Sequence, residues 1–240
     1  MRVAIVGGGI NGVMSAWALQ RRGHDVTLFE RGALMGATSA ASSKMLHGGL
    51  RYLEQGDVRQ VYEGLHERRW WMQRAPDLTR RVELFLPWYS HAPHGRLTLA
   101  AGLMTYDLLA GRARLGRHRW WSARNLPSRA SNLKRNGLHG AFSYWDAQMD
   151  DAALGRWAAD RARDAGVVIH ENTDVTRIAP DGELRTARDV SRFDAIVNVA
   201  GPWARALLDA SGLPSHTQLD LVRGSHLIVN RPTEAGFALN

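Results

Sequence analysis

The stretch RVAIVGGGINGVMSAWALQRRGHDVTLFE, residues Arg2–Glu30, decides the fold. Arg2 to Val6 is a short apolar run with Val and Ile, which predicts a buried strand. Asn11 to Arg22 places Val13, Ala16, Trp17 and Leu19 on one side of a predicted helix, and Gly23 ends it. Asp25 to Glu30 reads as a second strand. Strand, helix and strand within 30 residues predict a βαβ unit with parallel pairing. Gly7, Gly9 and Gly12 form GxGxxG between strand and helix, the context that gives this short pattern meaning. Gly7 permits a tight turn, Gly9 lets backbone approach a pyrophosphate, and Gly12 lets helix and strand pack closely. The helix N-terminus offers free N–H groups and partial positive charge to the anion. Glu30 stands 18 residues after Gly12, where an acid accepts hydrogen bonds from ribose hydroxyls and disfavours a 2′-phosphate. The plain alternative is a glycine turn with a surface glutamate.

Working outward, a loop of small and hydroxyl residues follows, then a helix over Val58 to Arg74 with Val58, Val61, Tyr62, Leu65 and Met72 as its apolar stripe. Pro76 marks its end. Residues 82–136 are mixed and carry Pro87, Pro93 and Pro127, which suggests a second lobe. From Asp150 the pattern turns regular: a helix to Ala165 capped by Asp150 or Asp151, and strands at Val167–His170, Asp174–Ile178 and Phe193–Val199. Leu221 to Asn230 is strand-like. The expectation is an α/β protein. A Rossmann-like dinucleotide-binding domain takes residues 1–75 and 150–212, and an inserted, sheet-rich lobe takes 76–149 and 213–240.

The 240 residues carry 31 Lys and Arg against 23 Asp and Glu, a formal charge of +8. Hydrophobic residues make up 45%, which excludes a disordered chain. Cysteine is absent, so disulfides, thiolate metal sites and cysteine nucleophiles are excluded. No metal site is expected. No stretch reaches the roughly 18 apolar residues of a membrane span; Leu97 to Gly111 is too short and contains Asp107. Met1–Val6 runs straight into glycines and does not read as a signal peptide. No nucleic-acid motif accompanies the positive charge. Of the basic residues, 29 are arginine and only Lys44 and Lys134 are lysine.

Lys44 lies in the most unusual motif, ATSAASSKMLHGGLRYLE, residues Ala37–Glu54. Its hydroxyls suit a phosphate chain and its glycine pair suits close approach to a flat ring. Arg51 can hold a phosphate or carboxylate through two parallel hydrogen bonds. Composition alone leaves equally open a flexible Ser/Gly loop with a solvated arginine and a solvated lysine. Two further clusters, Arg68-Arg69-Trp70-Trp71 and Arg117-His118-Arg119-Trp120-Trp121, pair cations with indoles. Such residues suit a membrane interface, or a core tryptophan beside a solvated arginine.

The run from Gly7 to Glu54, above all SSKMLHGGLRYLE at Ser42–Glu54, resembles the FAD-dependent glycerol-3-phosphate dehydrogenases, within the D-amino-acid oxidase-like flavoproteins. Tyr144-Trp145-Asp146 with Asp150-Asp151, Val197–Trp203 and Arg223–His226 agree in order. The resemblance covers nearly the whole chain, is weakest over 93–136, and is that of the N-terminal portion of such an enzyme. It implies FAD as cofactor, held at its pyrophosphate by Gly7, Gly9 and Gly12 and at its ribose by Glu30. Thr38, Ser39, Ser42, Ser43 and Lys44 would line the pyrophosphate and flavin. His47, Gly48, Gly49 and Leu50 would lie against the isoalloxazine, and Val175 near the adenine. Ala200, Gly201 and Trp203 would close over the cofactor, and Arg51 and Tyr52 would face the substrate. His226 is the candidate base, although by itself it reads as a strand-edge histidine. The implied reaction is oxidation of glycerol 3-phosphate to dihydroxyacetone phosphate, with electrons passed to a quinone. The implied place is the cytoplasm, with peripheral contact at the inner face of the cell membrane; a homodimer is compatible with it. Two other readings stay open: a related flavin oxidase of an amine or hydroxy acid, and a non-catalytic N-terminal fragment.

Overall fold

The structure, a computed structural model, describes residues 1–130, 132–215, 220, 222, 224–225 and 236–237. The chain opens with β1 (Arg2–Val6), α1 (Ile10–Gln20) and β2 (Asp25–Phe29). It continues through β3 (Met45–Leu46), α2 (Val58–Arg74), β4 (Thr79–Tyr89), α3 (Arg96–Ala110), β5 (Arg119–Ser122) and β6 (Leu138–Met149). Then come α4 (Asp151–Asp164), β7 (Val168–His170), β8 (Val175–Ile178), β9 (Glu183–Thr186), β10 (Val190–Arg192), β11 (Ala195–Asn198) and α5 (Ala204–Ala210). A last short strand, β12, is Gly236–Phe237.

Two compact units divide the chain, each interrupted in sequence. The first holds Met1–Ser43 and the chain from Asp151 through α5. Its parallel sheet has the order β11-β1-β2-β7, with every neighbour pair parallel. The βαβ expectation is met: β1 pairs β2 in register from Arg2–Asp25 to Val6–Phe29. Successive side chains of a strand face opposite ways. Ala4 and Val6 therefore share a core with Phe29, Val175, Ile178, Leu184, Phe193 and Leu207, which ties the parallel sheet to the antiparallel sheet β10-β9-β8 and to α5. Helices α1 and α4 pack side by side, and Trp17 meets Trp157 edge to face. A tight turn at Pro180-Asp181-Gly182 joins β8 to β9.

The second unit holds Lys44–Asp150 with β12. Its sheet runs β12-β4-β6-β3, and β5 pairs β6 beside β3. β4 and β6 are the long members, antiparallel from Thr79–Met149 to Tyr89–Leu138. One face of the sheet packs Leu84, Leu86, Phe142 and Tyr144 against Val61 and Leu65 of α2 and Leu103 and Tyr106 of α3. The other gathers Phe85, Ala130 and Ala141 with the half-buried Trp121.

The sequence expectation drew the first boundary at residue 75, whereas the compact units part between Ser43 and Lys44. The apolar stripe of α2 decides this, since Val61 and Leu65 are fully buried against α3 and the antiparallel sheet. Residues 82–136, which read as mixed, contain most of the length of β4 and all of α3. The strand expected over 221–230 lies largely outside the described residues, and Val222, Gly224 and Ser225 have no strand assignment.

Candidate functional site

In the first unit the chain leaves β1 through Gly7, at φ +114°, and enters α1 at Ile10. A side chain at Gly7 would put Cβ 2.5 Å from the Val199 carbonyl oxygen on the neighbouring strand's end, and one at Gly12 would put it 1.9 Å from the Gly7 oxygen. Strand and helix therefore approach as closely as backbone allows. Gly9 caps α1 without a side chain, and the first turn carries no acidic residue. The Ile10 amide donates to Ser39 Oγ at 3.0 Å, so Ser39 stands at the helix end with its own hydroxyl proton still to place. Helix end, bare glycine and hydroxyl make a donor set suited to a diphosphate.

Glu30 follows β2 and faces the same turn. Its Oε2 accepts from the Gly8 amide at 2.6 Å and its Oε1 from the Gly32 amide at 2.9 Å. A carboxylate has about four acceptor sites, so both oxygens retain capacity for ribose hydroxyls. Arg31, next in sequence, lies over the Trp203 ring at 3.7 Å. Trp203 ends the short turn Gly201–Trp203 beyond β11 and is 40% exposed. Val175 is buried as the first residue of β8. Thr38 is exposed at the start of a one-turn helix, and Ser43 is exposed. Ser42 is half-buried and tied to Asp151. Its amide and hydroxyl both donate to Asp151 Oδ2, at 3.1 and 2.8 Å, which fastens the hydroxyl loop to the start of α4.

In the second unit Lys44 is exposed with φ +61°, and its carbonyl accepts the Met149 amide at 2.9 Å. His47 is exposed, Gly48 and Gly49 are buried, and Leu50 opens the turn Leu50–Leu53. That turn presents Arg51 exposed and Tyr52 half-buried. The need for glycine at 48 is visible: a Cβ there would sit 2.4 Å from Leu65 Cδ2 and 2.6 Å from Tyr106 Oη. The close approach that requires glycine at 48 is to helix α2 and Tyr106.

A buried polar chain stands behind this turn. The Gly48 amide donates to Tyr106 Oη at 3.0 Å, and Tyr106 donates to Asp146 Oδ2 at 2.9 Å. Arg68 Nη1 donates to Asp146 Oδ1 at 2.7 Å, and Nη2 to the Ala113 carbonyl at 2.9 Å. Burial pushes the Asp146 carboxyl up from its ordinary value, against the opposing pull of Arg68. Burial raises the Tyr106 phenol well above its ordinary value, and the Asp146 charge adds to this. The sequence reading missed Tyr106 and Arg68. Tyr106 lay in an apolar run judged only for membrane length. Arg68 lies in a cluster that suits a membrane interface or a core tryptophan beside a solvated arginine; Trp71 is that buried tryptophan, and the correction falls on Arg68, which is 1% exposed and not solvated. His226 lies outside the described residues. Among the described residues no cluster of three or more His, Asp or Glu could hold a metal.

Parallel sheet, glycine turn and strand-end acid define a dinucleotide-binding α/β protein. The chain belongs to the FAD dependent oxidoreductase family, whose profile matches residues 2–240. It is 37% identical to a glycerol-3-phosphate dehydrogenase of Pseudomonas tolaasii, over 98% of this chain and 47% of that protein. It is 35% identical to a D-erythritol 1-phosphate dehydrogenase of Brucella abortus, over 94% of this chain and 46% of that protein. Its fold is similar to that of the glycerol-3-phosphate dehydrogenase from Bacillus halodurans complexed with FAD. The TM-score is 0.63 at 20% identity, over 88% of this chain and 36% of that one. The chain spans about half the length of the curated relatives it matches.

Proposed function

We propose that this chain carries the FAD-binding and substrate-facing segments of an FAD-dependent glycerol-3-phosphate dehydrogenase. The observation that carries the reading is the paired placement of a bare-glycine helix end and the Glu30 carboxylate, joined by the Gly8 hydrogen bond. It is supported by the similarity to glycerol-3-phosphate dehydrogenases of Pseudomonas. Bound FAD would supply hydride acceptance from C2 of the substrate. Gly7, Gly9, Gly12 and Ser39 would hold its diphosphate, and Glu30 its ribose. Thr38, Ser42, Ser43, Lys44, His47, Gly48, Gly49, Leu50, Val175, Ala200, Gly201 and Trp203 complete the proposed lining, with Ser42 acting through Asp151. Arg51 would hold the anionic end of the substrate or polarise the C2 oxygen, beside Tyr52. His226 is proposed as the base that takes the hydroxyl proton. Domain roles follow: the first unit for FAD, the second for substrate.

The reading includes a quinone acceptor, a cytoplasmic place and peripheral contact with the inner face of the membrane, with a homodimer compatible. For membrane contact α3 is the better candidate than the indole clusters. Leu97, Met104 and Leu108 stand 80%, 56% and 73% exposed at helical spacing. Exposed Arg96, Arg112 and Arg114 flank them, a charge suited to anionic lipid. No helix among the described residues is long and apolar enough to cross a membrane.

A second reading, a longer polyol phosphate as substrate, is favoured by the similarity to the D-erythritol 1-phosphate dehydrogenase. Anaerobic addition of glycerol 3-phosphate to the flavin-loaded chain separates them. The first reading expects glycerol 3-phosphate to bleach the flavin at lower concentration than erythritol phosphate does. The reverse order supports the second. Flavin that keeps its colour with both overturns the substrate assignment.

A further inference from the structure

We propose that Tyr106 and Asp146, with Arg68 as counter-ion, are positioning residues that fix the Gly48 peptide and thereby the His47–Tyr52 segment. The proposal rests on the reading that this segment lies against the flavin and substrate. Three separate elements converge on one backbone amide: Tyr106 from α3, Asp146 from β6 and Arg68 from α2. Each of the three side chains is 2% exposed or less. The bonds form an ordered sequence. Gly48 needs an acceptor, and the Tyr106 oxygen accepts while its own proton goes to Asp146. Asp146 holds its charge in the interior because Arg68 sits 2.7 Å away.

Packing closes the turn from the other side. The Gly48 oxygen lies where a Cβ on Gly64 would reach it at 3.3 Å, so the peptide is pressed against α2. Gly49 then turns through φ +74° into the Leu50–Leu53 turn that bears Arg51 and Tyr52. A shift of the Gly48 peptide therefore carries His47 on one side and Arg51 on the other. Burying an ion pair and a phenol is a costly way to fill a core, since apolar residues of similar volume often serve stability as well or better. Even here the buried Arg68 Nε has no hydrogen-bond partner among the described residues. What the network supplies that an apolar core would not is a fixed direction for one amide.

The test uses the 240-residue chain with three measurements: amide hydrogen exchange, FAD affinity and the absorbance spectrum of bound flavin. In the unsubstituted chain the Gly48 amide exchanges slowly. Tyr106→Phe removes one oxygen and should release that amide while the β4 and β6 amides stay protected. It should also shift the flavin band and raise the FAD dissociation constant about tenfold. Leu103→Ala, in the same core, should lower thermal stability at least as much yet leave the constant within about twofold. A Gly48 amide that exchanges fast in the unsubstituted chain overturns the proposal. So does Tyr106→Phe binding FAD like the unsubstituted chain, or Leu103→Ala weakening it equally. A chain that takes up no FAD at all refutes the cofactor reading, and the Gly48 exchange in Tyr106→Phe still decides the positioning claim.

Discussion

The amide of Gly8 and the carboxylate of Glu30 lie 2.6 Å apart, so the glycine turn after the first strand is tied to the residue that follows the second. This bond sets the acid beside the helix end and leaves acceptor sites on both carboxylate oxygens. Glu30→Gln keeps the size but turns one oxygen into a donor, which must face either the Gly8 or the Gly32 amide. The FAD dissociation constant should rise by about 10- to 100-fold in a fluorescence titration, since bonds to a charged acceptor are lost. An unchanged constant would remove Glu30 from the site.

Gly12 and Gly102 are both helical glycines with opposite consequences. At Gly12 a Cβ would sit 1.9 Å from the Gly7 oxygen, on backbone that cannot move aside without opening the turn. Gly12→Ala should cost about 3 kcal/mol or more and abolish FAD uptake. Gly102 has nothing within 4 Å of such a Cβ. There alanine should stabilise by about 0.5–1 kcal/mol through helix propensity alone. Urea titration of both variants checks the contrast.

Arg68 and Asp146 make the test of an internal ion pair. Arg68→Leu leaves the Asp146 charge buried without its partner and should cost about 3–5 kcal/mol. The double variant Arg68→Met with Asp146→Asn should recover part of that loss. It removes both charges and keeps an acceptor for Tyr106. A double variant as unstable as Arg68→Leu would contradict the account of the pair.

The buried tyrosines set the alkaline limit. Burial raises the phenols of Tyr106 and Tyr144 above their ordinary value. Above pH about 10 the folded state therefore holds protons that the unfolded chain releases. The stabilising contribution is full below that pH and is lost as pH rises toward the folded-state values. Ultraviolet titration should show these two phenolates appearing only together with unfolding. Tyr106→Phe should lose stability less steeply above pH about 10. A steeper loss would contradict the sign.

Much of the first unit was legible because its signals are local. A strand, three glycines and an acid lie within 30 residues, and the turn between β8 and β9 is written in Pro180-Asp181-Gly182. The second unit was less legible because its reasons are distant in sequence. Nothing near Arg68 announces Asp146, and nothing near Gly48 announces Tyr106, 58 residues away. The membership of α2 followed from which unit buries Val61 and Leu65, a matter that helical spacing alone leaves undecided. Ser42 shows the same limit within one unit. Its hydroxyl could serve a phosphate or a neighbouring carboxylate, and Asp151, 109 residues on, takes it.

The central claim is that the turn from Gly7 to Gly12, with Glu30, holds FAD. The measurement that tests it most directly is the visible absorbance spectrum of the purified chain after incubation with FAD and removal of the unbound cofactor. The account predicts a flavin spectrum at one FAD per chain, lost in Gly12→Ala. A colourless protein, or equal flavin in Gly12→Ala, would contradict it.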